Sequence, residues 1–153
     1  MNGAAWPIAE LLPQAPPMVL LDRVAEYRET GLTAEVTVRR DDRFFTPGRG
    51  IAAQIGIEWM AQACAAFAGW SARRMGLPVK LGFLLGTRGY EADRAWFTEH
   101  EVARVSVEQV FEEDGMAVFD CGIAVDGVPR AKARLTVYQP ADAAAVLGGI
   151  GPA

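Results

Sequence analysis

Between Ala52 and Ala72 the chain reads AAQIGIEWMAQACAAFAGWSA, with one charge, Glu58, and no proline. Few folds can house such a stretch. A helix that is apolar on all sides belongs in a core or in a membrane, because no face is left to meet water. Its polar exceptions are regularly spaced. Gln54, Glu58 and Gln62 stand four residues apart, and each such step turns a helix by about 40°. They are expected to form one short slanting stripe down a dry rod. An ionisable group in that position is costly unless a partner answers it, so Glu58 is the first candidate for chemistry.

A transmembrane span would be just long enough. Glu58, two glutamines and two tryptophans make it costly, and most of the chain has the period of sheet. The expectation is therefore a buried core helix and no membrane partner. With 15 basic against 19 acidic residues and a net charge of −4, nucleic acid is not expected as a partner. Cys64 and Cys121 are isolated, with no CxxC and no metal-ligand spacing. They read as small core residues in a reducing cytoplasm, and no metal site is expected. The start, MNGAAWPIAELLPQ, lacks the basic region and apolar run of a secretory signal.

Residues 1–153 are expected to form one domain, with a core over about 11–140 and a frayed or weakly helical tail over 141–153. Trp6 to Leu12 suits a short helix with Pro7 in its first turn, followed by extended backbone through PQAPP. Met18 to Tyr27 and Leu32 to Val38 read as strands, with Gly31 marking the turn between them. Arg39 to Gly50 is a polar loop leading to the helix. Gly69 is tolerated late in that helix, and Gly76 with Pro78 ends it after Arg73 and Arg74. Strands follow over Val79 to Ala92, Glu101 to Phe111, Ala117 to Val125 and Val128 to Tyr138. Glu113-Asp114-Gly115 and Asp126-Gly127 supply hairpin turns.

One dry helix among five or six strands with tight turns implies an α+β architecture, an antiparallel sheet curled around the helix. The sheet cannot cover the helix ends, so a second copy is expected to complete the site and the edge. Desolvation raises the pKa of a carboxyl group and suits it to act as general acid or base. Gln62, one turn on, could orient Glu58 or hold a water. Backbone N–H groups at the helix start could polarise a carbonyl oxygen. A thioester or acyl substrate would use all three. The plainer alternative is a Glu58 that hydrogen-bonds a neighbouring strand, with Gln54 and Gln62 as satisfied polar residues. His100, the one histidine, lies in the hydrophilic TEHE turn and reads as a surface residue. Arg130, Lys132 and Arg134 form a basic strand face, either solvated or docking an acidic carrier protein with help from Arg73 and Arg74.

LLPQAPPMVLLDRV resembles the LPHRxPxLLLDRV opening of the hotdog-fold (3R)-hydroxyacyl-acyl-carrier-protein dehydratases, and GIEWMAQACAA resembles their central-helix motif, xxEAMAQxxA. LGFLLGTRGYE and ARLTVYQP are closer still to a divergent branch, the ApeP-like proteins of aryl-polyene gene clusters. The similarity runs from about Leu11 to Pro140. It implies a hotdog dimer with an acyl tunnel at the subunit interface. The implied reaction is loss of water from a 3-hydroxyacyl thioester on the phosphopantetheine of acyl carrier protein or of CoA, without metal or redox cofactor. The family's helix carboxylate falls on Glu58 and its helix glutamine on Gln62. Its carbonyl-holding amide falls near Ala53, and Gln54 and Gln14 join the substrate-binding set.

Two departures accompany the resemblance. The family's catalytic histidine, in a GHFPxxP loop, has no counterpart in FFTPGRGIAAQ, and Gln14 stands where the LPH motif has histidine. The leading expectation is a dehydratase homologue in fatty-acid or polyene synthesis, with Glu58 as acid/base, Gln62 as its orienter and the Ala53 amide on the carbonyl. The alternatives are a non-catalytic acyl-binding subunit of a heterodimeric dehydratase, which the missing histidines motivate, and a hotdog acyl thioesterase.

Overall fold

The computed structural model describes residues 7–12, 19–79 and 82–139. In chain order the elements are α1 (Ile8–Leu11), β1 (Arg23–Arg28), β2 (Gly31–Thr37), β3 (Phe45–Thr46) and β4 (Gly50–Ala52). A 3₁₀ turn (Ala53–Ile55) then leads into α2 (Gly56–Arg74). After it come β5 (Phe83–Ala92), β6 (Trp96–Phe97), β7 (Val102–Glu113), β8 (Met116–Val125) and β9 (Val128–Tyr138).

The alternating sequences of the second half become the centre of a six-stranded sheet in the order β1-β2-β7-β8-β9-β5. Every neighbouring pair is antiparallel. Both Asp-Gly pairs close hairpins with positive φ at both residues, 52° and 85° at Asp114-Gly115 and 52° and 77° at Asp126-Gly127. That geometry matches the twist of the flanking strands. A separate ribbon, β3-β4-β6, delivers the chain to α2. The α+β architecture is as expected: the sheet wraps the helix.

The helix packs its bulky residues against the inner face of the sheet. Trp59, Met60, Phe67 and Trp70 are buried, as are Leu32, Ala34 and Val36 of β2, Val105 and Val107 of β7, and Phe119 and Ile123 of β8. Tyr27 stacks on Trp70 with ring centroids 4.9 Å apart, and Phe67 meets Phe119 edge-on at 5.9 Å. Such pairs add to the area they bury. On the opposite flank, α1 crosses α2 at Gly69, where a Cβ would stand 2.0 Å from the Leu11 carbonyl oxygen. Gly69 is thus required by this crossing, beyond being tolerated. Arg73 donates to the Glu10 carbonyl at 3.1 and 3.3 Å, and the Arg74 guanidinium lies 4.5 Å over the Trp70 ring.

Several boundaries differ from the sequence-based expectation. Gly31 lies inside β2, and Glu29-Thr30 make the turn instead. The strand expected from Met18 begins at Arg23, and the strand expected from Val79 begins at Phe83. The helix starts later than Ala52, because β4 and the 3₁₀ turn occupy its first residues, and it continues to Arg74. The loop over Arg39 to Gly50 contains β3 and touches β4, and β6 has no counterpart in the expectation. Two-residue strands carry too little alternation to be read. Trp6, Met18 and the tail over 141–153 lie outside the described residues.

Candidate functional site

Along α2, Glu58, Ala61, Ala65 and Ala68 follow one another at helical spacing and share a face. Alanine side chains are too short to fill the gap to the sheet. A cavity of about 280 Å³ results, walled by these residues and Cys64 on one side and by Leu84, Ala117, Phe119 and Val137 on the other. Gln109, Glu112, Gly115 and Gln139 bring polar and backbone groups to it. The arrangement is a largely apolar slot that carries the carboxylates of Glu58 and Glu112 on its lining. Such a slot suits an acyl chain, and a carboxylate suits proton transfer at a group seated there.

Glu58 is not the buried charge that the sequence suggested. It is exposed in this chain, for two physical reasons. The alanine stripe leaves its flank of the helix open to the cavity, and it lies in the first turn of α2, where the helix dipole favours a negative charge. The rod is dry on every side but the one that carries Glu58, Ala61, Ala65 and Ala68.

The expected polar stripe does not form. Gln54 lies in the 3₁₀ turn and is exposed. Gln62 is buried, with 2% of its surface accessible, and its side-chain oxygen accepts the Leu20 N–H at 2.8 Å. That bond ties the incoming segment to the helix, and Gln62 does not line the cavity. Expected as the orienter of Glu58, it anchors chain entry in this chain by itself. The Ala53 N–H, expected to hold a substrate carbonyl, already donates to the Ala95 carbonyl at 2.9 Å. Strand β6 supplies that acceptor's neighbourhood, an element that the sequence did not reveal. Gln14 lies outside the described residues.

His100 stands in the turn between β6 and β7 with φ 76°. Its side chain is 87% exposed beside Glu99, so it is a surface histidine, outside the cavity. The basic face of β9 is largely answered within the fold. Arg130 pairs with Asp93 at 3.0 Å, Lys132 with Glu91 at 3.6 Å and Arg134 with Asp120 at 2.8 Å. The two cysteines, far apart in sequence, bring their Sγ atoms to 3.9 Å between α2 and β8 as buried free thiols. Burial pushes the Cys64 thiol up, and Cys121 beside it adds to the effect. Among the described residues no group of three or more His, Cys, Asp or Glu could hold a metal ion, and no helix is long and apolar enough to cross a membrane.

One contact was missed entirely at the level of sequence. The Tyr90 hydroxyl of β5 donates to the Ala53 carbonyl. The only signal for it was the aromatic residue in the glycine-flanked segment LGFLLGTRGYE, which the resemblance marked without assigning a role.

A six-stranded antiparallel sheet wrapped around a central helix defines a hotdog protein. The chain belongs to the ApeP-like family, described as ApeP dehydratase, which it matches over residues 6–148. It is similar in structure to a chain of the dehydratase heterocomplex ApeI:P from Xenorhabdus doucetiae. The identity is 28%, the TM-score is 0.88, and 96% of this chain and 99% of that one are covered. A hypothetical thioesterase with coenzyme A from Streptococcus pneumoniae shares the fold at 14% identity and TM-score 0.61, covering 76% of this chain and 84% of that one. So does smu.793 from Streptococcus mutans, bound to acetyl CoA, at 10% identity and TM-score 0.64, with 84% and 94% covered. Among curated proteins no sequence matches.

Proposed function

We propose that the chain is one subunit of a dehydratase acting on 3-hydroxyacyl thioesters carried by an acyl carrier protein, and that a second hotdog chain supplies the histidine. The observation that carries this reading is the placement of Glu58. It lines a largely apolar slot, while the one histidine of the chain stands on an exposed turn outside that slot. Elimination of water needs two groups. A base takes the proton α to the thioester carbonyl, and the electron pair forms the double bond. An acid protonates the departing 3-hydroxyl, which leaves as water. Glu58 serves as the acid, and a histidine facing it from the partner serves as the base. The Cα–H and Cβ–O bonds break, the double bond forms and water leaves with no net oxidation or reduction, so the step calls for no redox cofactor. In this reading Ala53, Gln54 and Gln14 belong to the substrate-binding set, and Gln62 holds the entry segment at Leu20.

The sheet offers a place for the partner. Strand β5 ends the six-stranded sheet and exposes Leu84 and Leu85, at 42% and 56%. An open edge of this kind pairs readily with another strand. The similar ApeI:P assembly is a heterocomplex by its own description.

The test mixes the purified chain with a histidine-bearing hotdog protein and follows conversion of 3-hydroxyacyl-carrier protein to the enoyl form by mass. Turnover in the mixture, and none with either protein alone, is the expected result. Turnover by this chain alone would move the second group back into a homodimer. Release of free thiol without loss of water would make the protein a thioesterase.

A further inference from the structure

We propose that Tyr90 is a positioning residue for this site, acting through the peptide between Ala53 and Gln54 at the entrance to α2. The proposal rests on the reading of Glu58 given above and concerns how that carboxylate is aimed.

The Ala53 peptide groups are held from two sides. Its N–H donates to the Ala95 carbonyl at 2.9 Å. Its carbonyl accepts both the Tyr90 hydroxyl and the Gly56 N–H. The peptide is planar and trans, so fixing the Ala53 carbonyl also fixes the direction of the Gln54 N–H on the opposite side of the plane. Glu58 follows one helical turn later. The orientation of this one peptide therefore bears on the direction in which α2 leaves it, and with that on the azimuth at which the helix presents its carboxylate.

The fit is made for a hydroxyl. At Gly56 a Cβ would stand 2.7 Å from the Tyr90 hydroxyl oxygen and 2.7 Å from Ile123 Cδ1, so only glycine leaves room for the phenol. Burial pushes the Tyr90 hydroxyl above its usual range, which keeps it a neutral donor. The residue is carried by β5, the strand that ends the sheet. The aim of Glu58 is thereby tied to the strand on which the partner is proposed to add. Positioning of this kind matters energetically, since a misplacement of about 1 Å can cost on the order of a hundredfold in rate.

The experiment uses Tyr90→Phe and Gly56→Ala in the full chain, paired with its histidine-bearing partner. Tyr90→Phe is expected to lower kcat about tenfold, the loss of roughly one hydrogen bond, with KM within about twofold. Backbone amides over 53–57 exchange about tenfold faster, while those of β7 and β8 keep their protection. Gly56→Ala acts on the same contact, so the double variant loses less than the product of the two single effects. Ile123→Val, which trims packing beside Gly56, lowers Tm and leaves kcat unchanged. An unchanged kcat in Tyr90→Phe, or unchanged exchange over 53–57, overturns the proposal. If the wild-type pair does not turn over any 3-hydroxyacyl thioester, the dehydratase reading falls, and amide exchange alone decides the role of Tyr90.

Discussion

The side-chain oxygen of Gln62 accepts a hydrogen bond from the Leu20 N–H at 2.8 Å, joining the middle of α2 to the segment that enters β1. Replacing it by leucine keeps the volume but leaves a backbone donor without its acceptor. Gln62→Leu is expected to cost about 1–3 kcal/mol of stability, read as a fall in the urea midpoint. An orienter of Glu58 would behave differently, losing kcat at an unchanged midpoint.

Glu58→Gln should show the opposite pattern. The residue is exposed, stands in the first turn of α2 and has no ion-pair partner among the described residues, so the loss in stability is expected to be that of its favourable place at the helix start, about 0.3–1 kcal/mol. Turnover by the assembled pair is expected to fall by about 10²–10⁴-fold, the usual contribution of a positioned acid or base. Thermal melts and single-turnover rates on the same preparation check both halves.

Gly69→Ala tests the crossing of α1 over α2. Helix propensity alone favours alanine by about 1 kcal/mol. The added Cβ, 2.0 Å from the Leu11 carbonyl oxygen, must instead push α1 off the helix. Overpacking of this kind costs about 1–3 kcal/mol, so the variant is expected to be less stable than the wild type. A stabilised variant would show that α1 lifts away at no cost.

A pH dependence follows from Glu101. Burial raises its carboxyl, but the Thr98 N–H at 2.7 Å and the Arg94 guanidinium at 2.5 Å outweigh that, and the net shift is downward. A group whose folded pKa is depressed contributes stability above its unfolded value and loses it as pH falls through the folded one. Glu101→Gln is therefore expected to cost about 1 kcal/mol at neutral pH. The gap between variant and wild type should narrow as pH falls below the ordinary glutamate range and close only once the depressed wild-type carboxyl also takes up its proton. Urea denaturation at several pH values reads this directly.

The long strands and the central helix were legible because their periods are long and unbroken. Val128 to Tyr138 matches β9 residue for residue, and both Asp-Gly pairs turn where they were expected to. The short ribbon was not legible, since Phe45-Thr46 and Trp96-Phe97 are too brief to show a period. That gap hid the Ala95 carbonyl and with it the fate of the Ala53 N–H. Spacing placed Gln54, Glu58 and Gln62 on one stripe, but the 3₁₀ turn removed the first of them. Packing then separated the other two, sending Gln62 toward Leu20 and Glu58 toward the cavity. The sequence showed Glu58 among apolar and small neighbours and could not show that Ala61, Ala65 and Ala68 leave its flank open to a cavity. The approach of Cys64 to Cys121 and the reach of Tyr90 to Ala53 are long-range contacts, invisible to any local pattern.

The open edge at β5 has a consequence for how this chain lives in solution. A lone copy presents a row of backbone donors and acceptors with Leu84 and Leu85 beside them, a template for the wrong neighbour as much as for the right one. Its persistence then depends on supply. When a complementary strand is abundant, mass action holds the fold together and caps the edge. When it is scarce, the open edge is left to template self-association. If the partner is a second polypeptide, as proposed, the ratio at which the two are made becomes as much a part of the protein's stability as any contact inside it.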